Sequence, residues 1–157
     1  MAELEGLTPA LTPESPSLAI VGGAKFVTKE KLIHELLKKY DKLFIGGANV
    51  NDFFIARGYE VGKSLVSHTD HVKPLLENSK IVLPIDVTVE NPAGREEKMA
   101  HEVEENDMIL DIGPKSIESL RPTIQKARTI LWNGPMGNFE RGFKKGTDDL
   151  AKMISEN

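Results

Sequence analysis

Two lysines, Lys25 and Lys29, follow the glycine pair of the segment VGGAK, close to the start of a predicted helix. The dipole of a helix disfavours cations at its N-terminus, so these lysines are not there to stabilise the helix. An anionic ligand would offset that cost, because a glycine turn lets backbone N–H groups approach an anion and the helix N-terminus adds partial positive charge. The segment therefore indicates either an anion site or two solvated lysines.

Three further glycine turns follow predicted strands in the same way: IGGAN (45–49), DIGPK (111–115) and WNGPMGNFE (132–140). In an open α/β sheet, ligands bind outside the carboxyl ends of the strands. Four such turns along one rim predict a site of nucleotide size. Any one of them alone is a weak signal, because glycine at a strand-to-helix turn often serves only the backbone geometry.

The segment WNGPMGNFE is the most specific of the four. It carries the amide of Asn133, the rigid ring of Pro135 and the carboxylate of Glu140 on one short loop. Such a loop can offer an amide to phosphates, an apolar wall to a base and a carboxylate to ribose hydroxyls. The alternative interpretation is a tight turn beside a buried Trp132.

The triplet Gly62-Lys63-Ser64 resembles the end of a phosphate-binding P-loop. That motif needs four residues between its first glycine and the Gly-Lys pair, and a strand before it. Only three residues separate Gly58 from Gly62, and the preceding segment is a predicted helix. We therefore predict no phosphate cradle here and a surface position for Lys63.

Other constellations give weaker signals. The first turn lacks the G-x-G-x-x-G pattern, which disfavours an NAD-binding domain. His68 and His71 flank Asp70 at a spacing that allows metal ligation but is more often surface polarity. Asp86 and Asp111 end predicted strands, where they could assist a cation or, as we favour, cap a turn. The chain shows no recognisable serine, histidine and aspartate triad.

Five short apolar runs predict the strands that must position these turns: residues 17–21, 42–46, 80–85, 108–112 and 129–132. They are apolar at consecutive positions, as expected for a parallel sheet buried on both faces. The clearest helix follows Thr28, a predicted N-cap, and its apolar face contains Leu32, Ile33, Leu36, Leu37 and Tyr40. Further helices are predicted at 51–56, about 70–79, about 95–105, 116–127 and from about 146 onward.

The alternation of strand and helix predicts an α/β fold: a Rossmann-like three-layer domain with a mostly parallel sheet, helices on both faces, and a sheet that need not be complete. The acidic run EEKMAHEVEEND is interpreted as the solvated face of a helix. Residues 1–16, which contain three prolines, are predicted to form a linker or short helix, and residues 17–157 the α/β domain.

Composition restricts the class of protein. A net charge of −4 without a broad basic field argues against nucleic acid as a partner. The absence of cysteine rules out disulfides and thiolate zinc sites. The N-terminus has no signal-peptide pattern and no apolar run is long enough for a bilayer, so we expect no membrane partner and a cytoplasmic location.

Taken in order, six segments resemble the C-terminal, nucleotide-binding domain of phosphoglycerate kinase: LAIVGGAKFVTKEKLIHELL, DKLFIGGA, GYEVGKSL, IVLPIDVTV, LDIGPKSI and ILWNGPMGNFERGFKKGT. The resemblance extends over the chain from about Leu18. It implies a glycolytic phosphotransferase with a carboxyl acceptor, which transfers a phosphoryl group between 1,3-bisphosphoglycerate and ADP to give 3-phosphoglycerate and ATP, with Mg²⁺. It also implies that residues 1–16 are the connection into this domain.

The resemblance also implies roles for individual residues. Lys25 matches the catalytic lysine that meets the transferring phosphoryl group, and Lys29 matches a lysine that contacts the nucleotide phosphates. Asn133 corresponds to an asparagine near the triphosphate and Glu140 to the carboxylate that holds the ribose. Contacts with the base and nucleoside are implied for Gly46, Gly47, Leu65, Gly113, Pro135 and Gly137.

The sequence departs from the family pattern at Ala48, where many members carry a third glycine, and at Asn138, where an aliphatic residue is usual. The family's metal-binding aspartate would lie beyond Asn157, so no metal ligand is expected in this chain. The domain that binds the glycerate substrates would also lie outside it. We therefore expect a fragment that binds ADP or ATP weakly and needs the other domain for 3-phosphoglycerate or 1,3-bisphosphoglycerate. The alternative is a non-catalytic α/β nucleotide-binding or interaction module that pairs with another chain.

Overall fold

The computed structural model describes residues 12–24, 26–67 and 70–156. Its strands are β1 (Ser17–Val21), β2 (Lys42–Ile45), β3 (Ile81–Val82), β4 (Asp86–Asn91), β5 (Gly94–Met99), β6 (Met108–Ile112) and β7 (Thr129–Asn133). Its α-helices are α1 (Phe26–Lys39), α2 (Asn49–Ala56), α3 (Lys73–Leu76), α4 (Pro114–Lys126) and α5 (Lys145–Ser155). Short 3₁₀ helices span Ala100–Glu102 and Phe139–Arg141.

Four strands form a parallel sheet in the order β3-β2-β1-β7. Strand β1 is buried on both faces. Ala19 and Val21 join an apolar cluster with α1 and α2, while Leu18 and Ile20 join a second cluster with α4 and α5. Side chains of a strand alternate between faces, so a fully apolar strand must be covered on both sides. The predicted three-layer α/β arrangement is confirmed.

A second sheet is antiparallel and has the order β5-β4-β6. The prediction that 108–112 belongs to the parallel sheet is therefore wrong, although these residues do form a strand. The run predicted as one strand at 80–85 is only two residues long in β3, and the chain then enters β4. Both strands were defined by apolar content, which cannot specify the strand that each will pair with.

The predicted helix at about 95–105 is also wrong, because its first half is strand β5 and the remainder is the short 3₁₀ helix Ala100–Glu102 followed by irregular chain. The chain reverses at Pro92-Ala93, where Asn91 and Gly94 pair across the hairpin and Ala93 N donates to Asn91 Oδ1. Asparagine, proline and glycine favour this turn, and pairing with β4 overrides the helical propensity of the acidic residues that follow. The acidic run thus begins on the exposed edge strand β5 and continues through a 3₁₀ turn and irregular chain, and it does not form the predicted α-helix.

The remaining helices are close to prediction. Helix α1 buries Ile33, Leu36 and Leu37 as expected, but it begins at Phe26, so Thr28 lies in its first turn and is not its N-cap. Helix α3 is a single turn at 73–76 within the longer predicted span. Among the described residues, no helix is both long and apolar enough to cross a membrane.

Candidate functional site

A cavity of about 790 Å³ lies between the turns that follow β1, β2 and β7 and the wall formed by β6. A volume of this size is typical of small-molecule sites. The turns contribute Gly23, Gly47 and the segment 135–138 to its lining, and the loop at 63–66 contributes a further side. The cavity therefore lies where an open α/β sheet is expected to bind ligands.

Backbone hydrogen bonds join the three turns into one rim. Gly22 N donates to Asn133 O at 2.7 Å and Gly23 N donates to Pro135 O at 3.1 Å, which ties the β1 turn to the β7 turn. Asn49 Nδ2 donates to Gly22 O at 2.7 Å, which ties in the β2 turn as well. The rim is thus a continuous main-chain structure.

The close approach of the turns requires glycine at two of these positions. A Cβ atom on Gly22 would overlap Pro135 O and Gly134 O, which are backbone atoms that cannot move aside. Gly47 has φ +63°, and a Cβ there would lie 2.6 Å from both the nitrogen and the oxygen of Gly23. Glycine at these turns therefore serves close backbone packing.

Several of the residues singled out from the sequence line this cavity together. They are Gly47, Leu65, Pro135, Gly137 and Glu140. Leu65 is 48% exposed, which is high for a leucine and leaves its side chain available to a ligand.

Lys29 and Asn133 lie beside the cavity. Lys29 Nζ donates a hydrogen bond to Asn133 Oδ1, which joins the first turn of α1 to the end of β7. The Lys29 side chain passes Gly23, a residue of the lining, since its Cε lies 3.0 Å from the position of a Cβ built on that glycine. A cation and an amide are therefore placed together at the edge of the cavity. Lys25 lies outside the described residues.

Besides Lys29 and Asn133, two predicted residues do not line the cavity. Gly46 lies beneath Met136, whose sulfur would overlap a Cβ at that position, and its N–H donates to Val21 O. Gly113 lies against the carboxylate of Asp86, which a Cβ would also overlap. The structure gives both glycines a packing role behind the cavity.

The structure is closely similar to solved proteins. The phosphoglycerate kinase of Coxiella burnetii matches with a TM-score of 0.87 and 34% identity, over 99% of this chain and 44% of that chain. The phosphoglycerate kinase of Pyrococcus horikoshii OT3 matches with a TM-score of 0.80 and 31% identity, over 98% of this chain and 43% of that chain. A sequence model of phosphoglycerate kinase matches residues 1–157. The chain belongs to the phosphoglycerate kinase family. It spans less than half the length of these two solved relatives.

Sequence reasoning missed the wall of the cavity that β6 provides. Residues 108–112 line the cavity, although the apolar run MILDI was assigned to the interior of the parallel sheet. Met136 was also missed: it belongs to the lining of the cavity and is buried in the apolar cluster that lies on the α4 and α5 side of the parallel sheet. The flanking glycines of GPMG were the available signal, because they let the chain turn tightly around this methionine.

Asp86 and Asp111 have the structural role that the sequence favoured. Asp86 begins β4 and does not end a strand, and its carboxylate accepts hydrogen bonds from Lys115 N and Ser116 N at the start of α4. Asp111 lies in β6 and accepts from Gly146 N at the start of α5. Burial raises the pKa of Asp111 to about 6, against the opposing effect of its backbone hydrogen bonds.

The segment with Gly62-Lys63-Ser64 forms no P-loop. No helix begins directly after Lys63, because the described residues 64–67 are irregular, and Gly62 forms an isolated bridge with Met108. Lys63 is exposed, as predicted, but it also lies in the lining of the cavity. This position at the cavity was not predicted.

The described residues include no group of three or more histidine, cysteine or acidic side chains able to hold a metal ion. His71 pairs with Glu30 of α1 at 2.9 Å, and this hydrogen bond raises the pKa of the histidine. His68 lies outside the described residues. The described part of the HTDH motif therefore connects a loop to α1.

The two departures from the family pattern, Ala48 and Asn138, both belong to the lining of the cavity. Asn138 N donates to Leu110 O at 2.8 Å, which attaches the loop after β7 to β6. Its side-chain oxygen accepts from Arg141 N, so the amide also stabilises the short helix that carries Glu140.

Proposed function

We propose that this chain is the nucleotide-binding part of a phosphoglycerate kinase and that it binds ADP and ATP in the cavity beside the three joined turns. The observation that carries this proposal is the combination in one cavity of glycine turns, the exposed Leu65 and the carboxylate of Glu140, with Lys29 and Asn133 at its edge. Membership of the phosphoglycerate kinase family supports it.

The proposed pose follows the chemistry of the lining. The phosphates would lie near Lys29 and Asn133, which supply a cation and an amide donor. The base would pack against Gly47, Leu65 and the loop of Pro135 and Gly137, with Gly46 and Gly113 supporting that wall from behind. Glu140 would accept hydrogen bonds from the ribose hydroxyls, for which an ionised carboxylate is a strong acceptor.

The proposed reaction of the whole enzyme is transfer of a phosphoryl group from 1,3-bisphosphoglycerate to ADP in glycolysis, giving 3-phosphoglycerate and ATP in the cytoplasm. Phosphoryl transfer depends mainly on positioning and charge neutralisation, which lysines and backbone amides can supply. We assign Lys25 to the transferring group on the family resemblance alone. Mg²⁺ would accompany the nucleotide; the described residues offer no cluster to hold it, and no step is assigned to it.

Calorimetric titration with ADP tests the binding proposal. We expect binding by the chain and a loss of about tenfold in affinity for Lys29→Met, because a hydrogen bond to a charged group is worth about 1.5–3 kcal/mol. Lys38→Met is the matched control, since Lys38 lies on the same helix and pairs only with the exposed Glu35 in the described contacts. Absence of binding, or equal losses in the two variants, would contradict the proposal.

Turnover belongs to the whole enzyme in this proposal, because the chain spans less than half of its solved relatives. We expect the 157 residues alone to bind nucleotide without converting 1,3-bisphosphoglycerate. A coupled assay that detects ATP formation by this chain would contradict that expectation. The division into a connection at 1–16 and a nucleotide-binding unit at 17–157 is part of the same proposal.

One observation favours a second candidate function, a non-catalytic module that pairs with another chain. Strand β7 lies at the edge of the parallel sheet, and among the described strands it pairs only with β1. Its residues 129–132 are half-buried, and an apolar edge strand is a template for a further strand. Light scattering discriminates between the two: a monomer across a wide concentration range that binds ADP favours the kinase assignment.

A further inference from the structure

The loop that carries Glu140 is attached to the antiparallel sheet by charged side chains. Glu140 lies in the short helix Phe139–Arg141, between the turn after β7 and helix α5. Within the loop, Arg141 N and Phe143 N both donate to Asn138 O. These local bonds give the loop its shape, and the hydrogen bond from Asn138 N to Leu110 O attaches only its first residue to β6.

Arg141 supplies an attachment to two strands. Its Nη2 pairs with Glu90 Oε1 of β4 at 2.5 Å, and its Nη1 lies 3.5 Å from Met108 Sδ of β6. Arg141 directly follows Glu140, so the direction of its side chain and the position of its neighbour are coupled through one peptide unit. The planar, multiply donating guanidinium suits such a bridge better than an ammonium group would.

Arg95 of β5 supplies a second attachment. Its guanidinium lies 4.0 Å from the centroid of the Phe143 ring, and its Nη2 donates to Arg141 O at 3.0 Å. Phe143 is buried, so this cation–π contact is formed against a fixed ring. The β4–β5 hairpin therefore holds the loop from both of its strands.

We propose that Arg141 and Arg95 are positioning residues that hold Glu140 where its carboxylate accepts hydrogen bonds from ribose hydroxyls, so that the β4–β5 hairpin sets the preference for ribonucleotides. The inference rests on the proposed nucleotide function and adds to it. Neither arginine belongs to the lining of the cavity. Their effect on a ligand is transmitted through Glu140.

The alternative is that these contacts are ordinary surface pairs. Arg141 and Glu90 are 47% and 35% exposed, and pairs of that kind contribute little to stability. A positioning role predicts a change in ligand preference without a matching loss of stability. The two interpretations are therefore separable by experiment.

The test compares ADP with 2′,3′-dideoxy-ADP, which lacks the ribose hydroxyls, by calorimetry on the whole chain. We expect the unaltered protein to prefer ADP by about tenfold, and Glu140→Gln to lose most of that preference. Arg141→Met and Arg95→Met should each reduce the preference at least threefold while leaving the affinity for dideoxy-ADP nearly unchanged. Glu90→Gln, which removes only the acceptor charge on β4, should change the preference in the same direction but less.

Arg121→Met is the matched control. Arg121 forms a similar pair with Glu118, at 2.7 Å and with 46% and 57% exposure, on helix α4 away from the cavity. The Arg121→Met variant should leave the affinities for ADP and for dideoxy-ADP unchanged. Arg141→Lys should restore part of the preference, because it keeps the charge but loses the planar donor geometry.

Three results would overturn the inference. In the first, Arg141→Met and Glu90→Gln both keep the full preference for ADP. In the second, these variants lower the affinities for ADP and for dideoxy-ADP by the same factor, as a general loss of structure would. The unaltered protein could bind the two nucleotides equally, which would remove the role of Glu140 while leaving nucleotide binding intact. If the unaltered protein binds neither nucleotide, the proposed function itself fails, and this inference fails with it.

Discussion

Opposite walls of the cavity are built from different kinds of interaction. The rim at the ends of β1, β2 and β7 is held by main-chain hydrogen bonds between turns, such as Gly22 N to Asn133 O and Gly23 N to Pro135 O. The wall formed by the antiparallel sheet is reinforced by charged side chains. Lys98 pairs there with Asp107, and Arg141 pairs with Glu90.

The difference indicates how each wall responds to change. Backbone atoms at the rim cannot move aside without shifting a neighbouring turn, so even one added methyl group must disturb the whole rim. Side chains on the other wall can rearrange or be replaced, so substitutions there should have smaller effects that depend on pH and salt. The main-chain rim thus sets the shape of the cavity, and the side chains of the antiparallel wall can alter that shape.

The largest effect is expected at the rim. Gly47→Ala places a Cβ at a positive φ and against the backbone of Gly23, so we expect a loss of about 3 kcal/mol in the free energy of unfolding. ADP binding should weaken as well, because Gly47 lines the cavity. Urea denaturation and calorimetry measure the two effects.

Gly58→Ala separates backbone strain from close packing. Gly58 also has a positive φ, but a Cβ there would meet no atom within 4 Å among the described residues. We expect it to cost only about 1 kcal/mol. Equal losses in the two variants would show that the close approach of the turns is unimportant, and the contrast between the walls would then be mistaken.

The rim could be predicted from the sequence because its signals are local. The run SLAIV specifies a strand buried on both faces, and the glycine pairs that follow β1 and β2 mark turns where backbones approach closely. Each of these signals is contained in a few consecutive residues. Their common edge follows from the parallel order of the strands.

The antiparallel wall could not be predicted in the same way. Strand β5 contains Arg95, Glu96, Glu97 and Lys98, which show no alternation of apolar and polar residues, and only pairing with β4 makes this segment a strand. The strand β6 was recognisable from MILDI, but its partner depends on the hairpin. Cross-strand pairing is a non-local property, so local propensity gives little guidance to it.

The candidate site shows the same division. The sequence identified Gly47, Pro135 and Glu140 because they belong to turn motifs, and the structure places all three in the cavity lining. It missed the contribution of Met108–Ile112, because that wall exists only once the second sheet has formed. The roles of the individual residues in binding stay predictions until a ligand is tested.

A substitution in the antiparallel wall sharpens the contrast. Asp107→Ala removes the acceptor for Lys98 Nζ, Asn91 Nδ2 and Glu104 N. Buried donors that lose a partner are costly, so we expect a loss of about 2 kcal/mol in the free energy of unfolding. Burial alone would raise the pKa of Asp107, but the hydrogen bonds it accepts leave that pKa lowered.

The control for this variant is Asp70→Ala, because Asp70 is exposed and pairs with Lys73 at 3.3 Å. Exposed ion pairs contribute little to stability, so the unfolding free energy of the Asp70→Ala variant should not differ measurably from that of the unaltered protein. We expect Asp107→Ala to weaken ADP binding less than Gly47→Ala does. An effect of Asp107→Ala on binding as large as that of Gly47→Ala would show that both walls are equally rigid.

The smallest effect is expected at Asp111, where β6 meets helix α5. Its pKa is raised to about 6, chiefly by burial, with further contributions from Asp148 and Asp149. The unfolded value is about 3.9, so the folded chain binds more protons than the unfolded chain between these two values. Stability should therefore fall as the pH rises from about 4 to about 6.

Asp111→Asn removes this titration but keeps an oxygen that can accept from Gly146 N. We expect the difference in unfolding free energy between pH 4 and pH 7 to shrink by on the order of 1 kcal/mol, since contact with the open cavity screens part of the cost of the charge. Asp41→Asn is the control of opposite sign. Hydrogen bonds from Ser15 and Ser17 lower the pKa of Asp41, so that side chain stabilises the fold above about pH 4 and loses this effect in acid. If Asp111→Asn leaves the pH dependence of the unfolding free energy unchanged, the Asp111 carboxyl is more exposed to water than the structure shows. The boundary between the two walls would then be more open to water than the rim.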